Sequence, residues 1–328
     1  TASADGLAEA LVSGGSGSAT VDVFDESVDG NAVAEANSTA DSRGDFRSKS
    51  VTTASGEATA DSSNTPTGNA TATVNVASNA FTGRESSANT TGSTTAKSGA
   101  EGGDAVANTD ARSKAAGGPT GSSNTLVGSD ATTSGDATAV AGEGGTANAS
   151  VGGTSQAFGT ERSNATYSGT AVAVSGEGGQ SNADVGAGTS TFAVGRGSPS
   201  SGVATARHEA NATAVSGAGG KADANAIGGA GVFAGDGSVA SGDSAAKADV
   251  GGEAASAKGS STFEVTETGG KGSSSGHAEG EWAVASAVAD TRTGGLRRGG
   301  ATGRGSASAA DGSATANATH TSVGFSGR

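Results

Sequence analysis

The sequence predicts an all-β fold, a repetitive β-solenoid of about ten units of about 33 residues, each with three short strands. The first observation is a repeated order of segments: the stretch 137–158, ATAVAGEGGTANASVGGTSQAF, has counterparts at 171–192 and 212–233. The second is an apolar period of two from Val21 onward, which is typical of β-strands. The third is that the apolar residues are mostly small, so one repeat alone has little to bury.

The composition limits how such a chain can be ordered. Its 328 residues include 59 Gly but only 25 Val, 8 Phe, 4 Leu and 1 Ile, and the formal net charge is −14. These values are close to those of disordered chains. The small apolar residues are nevertheless patterned rather than scattered. We therefore expect an ordered chain that depends on nearly complete backbone hydrogen bonding and on a core shared between stacked repeats.

Residues 1–20 differ from the repeats. We expect an N-terminal arm or a short helix here, with a role in assembly, followed by a single repetitive β domain over 21–328. Asp5 could cap a helix over 6–12, because Leu7 and Leu11 would then share one face. A flexible or strand-like arm is the alternative.

The strand segments of each repeat differ in how apolar they are. In 146–151, only one face is apolar, with Ala147, Ala149 and Val151. In 171–174, alanines occupy one face and valines the other, so we expect both faces to be buried. The valine faces are expected to pack against a second sheet of this chain or against a neighbouring subunit. They comprise Val140, Val172, Val174, Val215, Val284 and Val288.

Glycine-rich segments separate the strands. Gly-Glu-Gly-Gly at 142–145 and 176–179 and Gly-Ala-Gly-Gly at 217–220 contain positions that tolerate a positive φ angle. Gly-Gly at 152–153 and at 228–229 is expected to form the next corner of each unit.

Ten large apolar residues mark the longer period, one for each predicted unit. We expect them to be buried core anchors, with Phe158, Phe192 and Phe233 at equivalent places in successive units. The ten anchors are Phe24, Phe46, Phe81, Leu126, Phe158, Phe192, Phe233, Phe263, Leu296 and Phe325.

Three strand arrangements fit these signals. A solenoid of parallel, in-register strands is favoured. An antiparallel β-sandwich or meander is the alternative, because the glycine turns are short enough for hairpins. A polyglycine-type bundle would need Gly at every third residue, and the glycine positions do not follow that spacing.

Two resemblances support a parallel, stacked arrangement. The segment 235–242, GDGSVASG, followed by Asp-Ser-Ala, resembles the head repeats of bacterial trimeric autotransporter adhesins. That resemblance implies a left-handed parallel β-roll that binds matrix surfaces. It covers about 11 of the 328 residues. The composition is also similar to that of silk-like and cross-β extracellular fibre proteins, which implies a structural role.

No arrangement of residues predicts catalysis, so we expect neither an enzyme nor a bound cofactor. The segment 272–276 matches the nucleophile pattern G-x-S-x-G but lacks its strand–turn–helix context. His208, His277 and His320 do not share a metal-ligand spacing. The acidic residues Asp22, Asp25, Glu26 and Asp29 could supply oxygen ligands to Ca²⁺, but they lack the alternate spacing of a calcium loop.

The sequence favours an extracellular or cell-surface location. A start at Thr1 without Met suggests that a leader was removed. No apolar run is long enough for a membrane helix, and the acidic balance disfavours nucleic acid as a partner. Seven sequons predict glycosylation in a secreted protein. Their asparagines are Asn37, Asn69, Asn89, Asn148, Asn164, Asn211 and Asn317.

The function we expect is that of a secreted structural protein that self-assembles head-to-tail with copies of itself into an extracellular fibre. Residues 1–60 carry ten acidic and three basic residues, whereas 291–328 carry five basic and one acidic. Opposite charges at the two ends would give such a fibre its direction. The candidate assembly contacts are Asp22, Asp25, Glu26, Asp29, Arg297, Arg298 and Arg304.

Two other functions remain open. A cell-surface adhesin or stalk would use the repeats to project a binding surface. An ice-binding β-solenoid is the third, although no regular Thr-x-Thr ladder runs along the sequence.

Overall fold

The structure is a computed structural model that describes most of the chain. The described residues are 2–12, 16–28, 30–45, 48–82, 85–117, 128–159, 162–193, 203–234, 239–250, 254–265, 271–280, 282–293, 300–309 and 314–324. Side chains are described for most of these positions between 30 and 229.

The described residues form nineteen strands and no helix. The strands are β1 Ala2–Val12, β2 Ser16–Val28, β3 Ala32–Gly44, β4 Lys49–Asp61, β5 Ala70–Thr82, β6 Glu85–Lys97, β7 Ala105–Gly117, β8 Gly128–Val140, β9 Thr146–Gly159, β10 Arg162–Ser175, β11 Gln180–Ala193, β12 Val203–Ser216, β13 Lys221–Ala234, β14 Val239–Val250, β15 Ala254–Val265, β16 Lys271–Gly280, β17 Trp282–Thr293, β18 Gly300–Ala309 and β19 Ala314–Gly324.

The strands form two parallel sheets. The odd-numbered strands make one sheet of ten and the even-numbered strands make one of nine, each in chain order. The chain thus alternates between the two sheets as it advances along one axis. This architecture confirms the predicted β-solenoid. The antiparallel alternative is wrong, because every strand pair is parallel.

Each turn of the solenoid contains two long strands, so the prediction of three short strands per unit is wrong, and the count of ten units is not confirmed. The error comes from the paired glycines. Gly152 and Gly153 lie inside β9, and 228–229 lies inside β13. Gly153 faces inward, where an added Cβ would collide with the carbonyl oxygen of Ala111 and lie 2.6 Å from the ring of Tyr167. This glycine therefore permits a close approach and does not form a corner.

The N-terminal segment belongs to the solenoid. Residues 2–12 form β1 and pair in register with β3, so the helix alternative is wrong. The alternating alanines Ala2, Ala4, Ala8 and Ala10 fit a strand period better than a helical one. Strand β2 runs across residues 20 and 21, so the structure has no domain boundary there.

Alternate residues of β3 to β13 face the interior where their side chains are described, and most of them are small. One column of the odd-numbered sheet holds alanine in all ten strands, each paired in register with the next. We call it the alanine column. It comprises Ala2, Ala34, Ala72, Ala107, Ala149, Ala183, Ala224, Ala257, Ala285 and Ala316.

A glycine column on the even-numbered sheet receives larger side chains from the opposite sheet. It consists of Gly56, Gly92, Gly135 and Gly169, which pair in register. A Cβ added at Gly135 would lie 2.8 Å from Cγ1 of Val151. The same distance separates an added Cβ at Gly56 from Val76 Cγ2. The valines therefore fill the space that the glycines leave, and the two sheets approach closely.

Hydroxyl groups also join the sheets inside the solenoid. Ser78 and Thr90 share a hydrogen bond of 2.7 Å between β5 and β6. Thr90 donates a further bond of 2.8 Å to the carbonyl oxygen of Arg112. Ser113 and Thr133 repeat the arrangement at 2.6 Å. These partners offset the cost of burying the hydroxyls.

The corners continue the backbone hydrogen bonding of the sheets. Gly144, Gly178 and Gly219 have φ angles of 67°, 67° and 70°, which confirms the expectation of positive φ in these turns. The amide of Gly144 donates to the carbonyl oxygen of Glu177 at 2.8 Å, and that of Gly178 donates to Ala218 at the same distance. Successive corners are thus bonded to each other as the strands are.

We predict that Gly135→Ala destabilises the solenoid by about 1–3 kcal/mol, because its methyl group would overlap Val151 in a packed interior. Denaturant or thermal unfolding followed by circular dichroism measures the change. The matched control is Gly152→Ala on the outer face of β9, where an added Cβ meets nothing within 4 Å. That control is expected to be neutral or slightly stabilising. Equal destabilisation by both variants would contradict the close-packed interface.

Candidate functional site: end strands and outer faces

The two ends of the solenoid present strands that are paired on one side. Within this chain, β1 and β2 lie at one end of their sheets and β19 and β18 lie at the other. Asp22, Asp25 and Glu26 are in β2, whereas Arg304 is in β18. These acidic residues and Arg304 therefore lie on strands at opposite edges of the even-numbered sheet. Asp29, Arg297 and Arg298 lie outside the described residues.

The two predicted core anchors whose side chains the structure describes lie on the outside. Phe81 and Phe158 are half-buried on the outer face of the odd-numbered sheet, so the prediction of buried rings is wrong for them. Lys114 Nζ lies over both rings, 5.9 and 5.7 Å from their centroids. Phe158, Phe192 and Phe233 do occupy equivalent places, since they pair in register.

The remaining anchors give no test of burial. Phe24 and Phe263 lie in β2 and β15, and their side chains, with those of Phe192 and Phe233, are outside the described set. Four further anchors lie outside the described residues altogether: Phe46, Leu126, Leu296 and Phe325. The physical reason for the outward rings is the narrow interior, where even a glycine Cβ would meet a valine.

The valine faces also point outward. Val140, Val174 and Val215 pair in register on the even-numbered sheet and are half-buried there, as is Val172. Among the described residues no second sheet of this chain covers them, so that expectation is wrong for these valines. Contact with a neighbouring subunit stays a prediction. Val284 and Val288 are in β17, where side chains are outside the described set.

A regular array of hydroxyl side chains occupies the same outer face. We call it the hydroxyl face and define it by four outward positions on each of β4, β6, β8 and β10. Twelve of the sixteen side chains are Ser or Thr, in register from strand to strand. The residues are Thr53, Ser55, Glu57, Thr59, Asn89, Thr91, Ser93, Thr95, Thr132, Ser134, Asp136, Thr138, Thr166, Ser168, Thr170 and Val172.

The two outer faces differ in how their polar groups are satisfied. On the odd-numbered sheet, Asn75 donates to Asn37 at 3.0 Å and Asn182 donates to Asn148 at 2.8 Å, which forms side-chain ladders. On the hydroxyl face, no threonine hydroxyl hydrogen-bonds to another described residue. These hydroxyl groups therefore remain available to water or to a ligand.

The sequon asparagines described by the structure lie on outer faces or at a corner. Asn37, Asn148, Asn164 and Asn211 already take part in side-chain hydrogen bonds. Asn69 lies at a corner, where the Asp104 amide donates to its side-chain oxygen at 2.9 Å. Asn317 lies in β19. Glycosylation stays a prediction at all seven sites, and a glycan on Asn89 would cover the hydroxyl face.

A shallow groove crosses the starts of β4, β6, β8 and β10. It forms because Gly128 has no side chain in a row that otherwise holds Lys49, Glu85 and Arg162. Lys49 pairs with Glu85, and Arg162 Nη2 lies 3.2 Å from Asp130 Oδ2. These exposed ion pairs contribute little to stability.

Sequence reasoning missed Tyr167 and His208, the two largest fully buried side chains among the described residues. They are 0% and 1% exposed and pair in register between β10 and β12. Burial raises the pKa of Tyr167, with smaller contributions from Asp110 and Asp136. Burial also lowers the pKa of His208 to about 4. The sequence signal for the burial of Tyr167 is the alternation along β10. This residue is an even number of residues from the inward alanines Ala165 and Ala171, so its side chain lies on the same face of the strand.

In the described part of the chain, no group of three or more His, Asp or Glu side chains is placed to hold a metal ion. The acidic residues of β2 proposed for Ca²⁺ lie outside the described side chains. The described residues also contain no helix that could cross a membrane. Comparisons with protein families, curated proteins and solved structures found no match.

We predict that His208 makes the fold sensitive to acid. Its pKa is about 4 in the folded state and about 6.5 when unfolded, so only the unfolded state binds the proton between these values. The contribution is therefore complete above pH 6.5 and is lost as the pH falls towards 4. The expected loss is about 3 kcal/mol. Unfolding midpoints measured at several pH values between 7 and 4 report it.

The comparison variant is His208→Thr, which places the residue type of Thr133 at the same inward column. Its stability should change much less between pH 7 and 5, where carboxylates are still ionised. Glu209→Gln on the neighbouring outward position serves as the control and should keep the wild-type pH dependence. If the stability of the wild type and of His208→Thr changed with pH in parallel, His208 would not be the cause of the acid sensitivity.

Proposed function

We propose that this chain is an extracellular structural protein that polymerises head-to-tail through its end strands. The observation that carries the proposal is the alanine column. If β19 of one copy pairs with β1 of the next in the same register, Ala316 lies opposite Ala2 and the column continues across the joint. The neighbouring inward positions, Ala318 and Ala4, are equally small.

Backbone hydrogen bonding supplies the driving force for such a joint. Strand edges with unpaired amide and carbonyl groups readily pair with another chain. The joint would be made by the odd-numbered sheet: when β1 of the incoming copy pairs with β19, its β2 lies two strand spacings from β18, because ten odd-numbered strands face nine even-numbered ones. Head-to-tail contact joins unlike surfaces, and without ring closure it produces an open filament.

Charge supports the direction of assembly. The acidic N-terminal strands and the arginine-containing C-terminal strands lie at opposite ends of the sheets. The register of the even-numbered sheet places Arg304 of β18 in the same column as Phe24 of β2, between the positions of Asp22 and Glu26. Opposite charges would accelerate encounter in the head-to-tail orientation, and like charges would oppose the reverse one.

The alternative is a surface adhesin or stalk, in which the same solenoid projects a binding surface. An outer face whose threonine hydroxyl groups have no partner among the described residues favours it. A stalk would not form filaments from the isolated chain, so electron micrographs of the purified protein separate the two functions.

We predict that Ala4→Asp blocks filament growth. Ala4 pairs in register with Ala36, which is fully buried, so an aspartate there would place a charge in the joint. The matched control is Ser3→Asp, one residue away, which pairs with the exposed Glu35. It carries the same charge and should still form filaments. Sedimentation and electron microscopy measure assembly, and equal growth of both variants would contradict a strand-edge joint.

We also predict that Arg304→Glu slows elongation at low salt and removes most of its salt dependence. Wild-type elongation should slow as ionic strength rises, because the Debye length falls to about 3 Å at 1 M salt. Arg112→Glu, which makes the same charge change on an exposed side chain in the middle of the solenoid, is the control. Light scattering follows the rates. If both variants keep the wild-type salt dependence, the charges at the ends do not direct assembly.

A further inference from the structure

We propose that the hydroxyl face binds the surface of ice crystals. This inference does not depend on polymerisation, because the face lies on β4, β6, β8 and β10 of a single chain. The threonines form no ladder along the chain, but the register aligns them across strands, as in the column Thr59–Thr95–Thr138.

The hydroxyl face repeats in two directions. Parallel strands lie about 4.8 Å apart, and alternate residues along a strand are about 6.6 Å apart. Both spacings are comparable to the separations of oxygen atoms on planes of the ice lattice. Each column is continuous, since all four strands pair without a bulge over these positions. The face therefore presents oxygen atoms as a two-dimensional grid.

The side-chain chemistry suits ordered water. A hydroxyl group both donates and accepts hydrogen bonds, so it can replace a water molecule in a lattice. The adjacent methyl group of threonine is poorly hydrated, so its transfer from liquid water to the ice surface is favourable. Among the described residues, the threonine hydroxyls of this face have no side-chain or backbone partner to compete with such contacts.

Rigidity keeps the grid in place. The backbone under the face is paired on both sides of each strand, because β2 and β12 flank the four strands. Behind it, Gly92 and Gly135 hold the opposite sheet at close contact. Threonine also has a restricted χ1 angle. Binding would therefore require little reorganisation of the protein.

Charge on the face gives the proposal a direct test. Ice has no counter-charge, and three of the four columns carry no charged residue. The exception is the column of Glu57, Ser93, Asp136 and Thr170. Replacing its two carboxylates by threonine would raise the hydroxyl residues from twelve to fourteen of the sixteen positions without changing the interior. We expect Glu57→Thr/Asp136→Thr to bind ice more strongly than the wild type.

The experiment measures thermal hysteresis and the uptake of fluorescently labelled protein into a growing ice hemisphere. Thr91→Lys/Thr132→Lys places two charges at the centre of the hydroxyl face. Thr73→Lys/Thr154→Lys makes the same change on the outer face of the opposite sheet. Circular dichroism and unfolding midpoints show that both lysine variants fold. We expect uptake and hysteresis to be lost in the first variant and retained in the second.

Monomeric protein from size exclusion is used throughout, so the result is separate from filament formation. The absence of wild-type uptake into ice would overturn the proposal, whether or not filaments form. Equal loss in the two lysine variants would also overturn it, because binding would then not reside on this face. A chain that fails to form filaments but enters ice would refute the proposed fibre and support this inference.

Discussion

The close approach of the two sheets is the constraint on which the rest of the structure depends. It is possible only because the facing positions carry alanine, glycine and serine, with valines of one sheet fitting against glycines of the other. A packed interior of this depth leaves no room for ordinary core side chains. Phe81, Phe158 and the described valines of the even-numbered sheet consequently lie outside. Tyr167 and His208 are exceptions among the described residues, and Gly153 and Gly169 accommodate the tyrosine ring.

Because so little apolar area can be buried, hydrogen bonds provide much of the cohesion. The sheets, the stacked corners and the hydroxyl pairs across the interior form one continuous network. At the strand starts, the side chains of Asn31, Asn69 and Asp104 each accept a bond from the backbone amide of the next turn. Polar residues at these positions therefore act as part of the sheet.

Much of the fold could be predicted from the sequence, but the arrangement of side chains on the outer faces could not. Period-two alternation and the Gly-Glu-Gly-Gly corners predicted a parallel solenoid. Each of these patterns lies within a few consecutive residues and reflects the backbone conformation of those same residues. The paired glycines at 152–153 were misread, because a glycine needed for close packing looks the same in sequence as one needed for a turn. The hydroxyl face was missed because it arises only from register. The distance between neighbouring column members, 36 residues from Thr59 to Thr95 and 43 from Thr95 to Thr138, varies with loop length.

The alanine column has a further consequence for how such a chain can change. Every strand of the odd-numbered sheet contributes alanine at that position. The column therefore does not determine which strand pairs with which. Duplication or deletion of a whole two-strand turn would leave this column chemically unchanged. Gene recombination within the repeats could therefore lengthen or shorten the protein in whole turns while the new interior still fits.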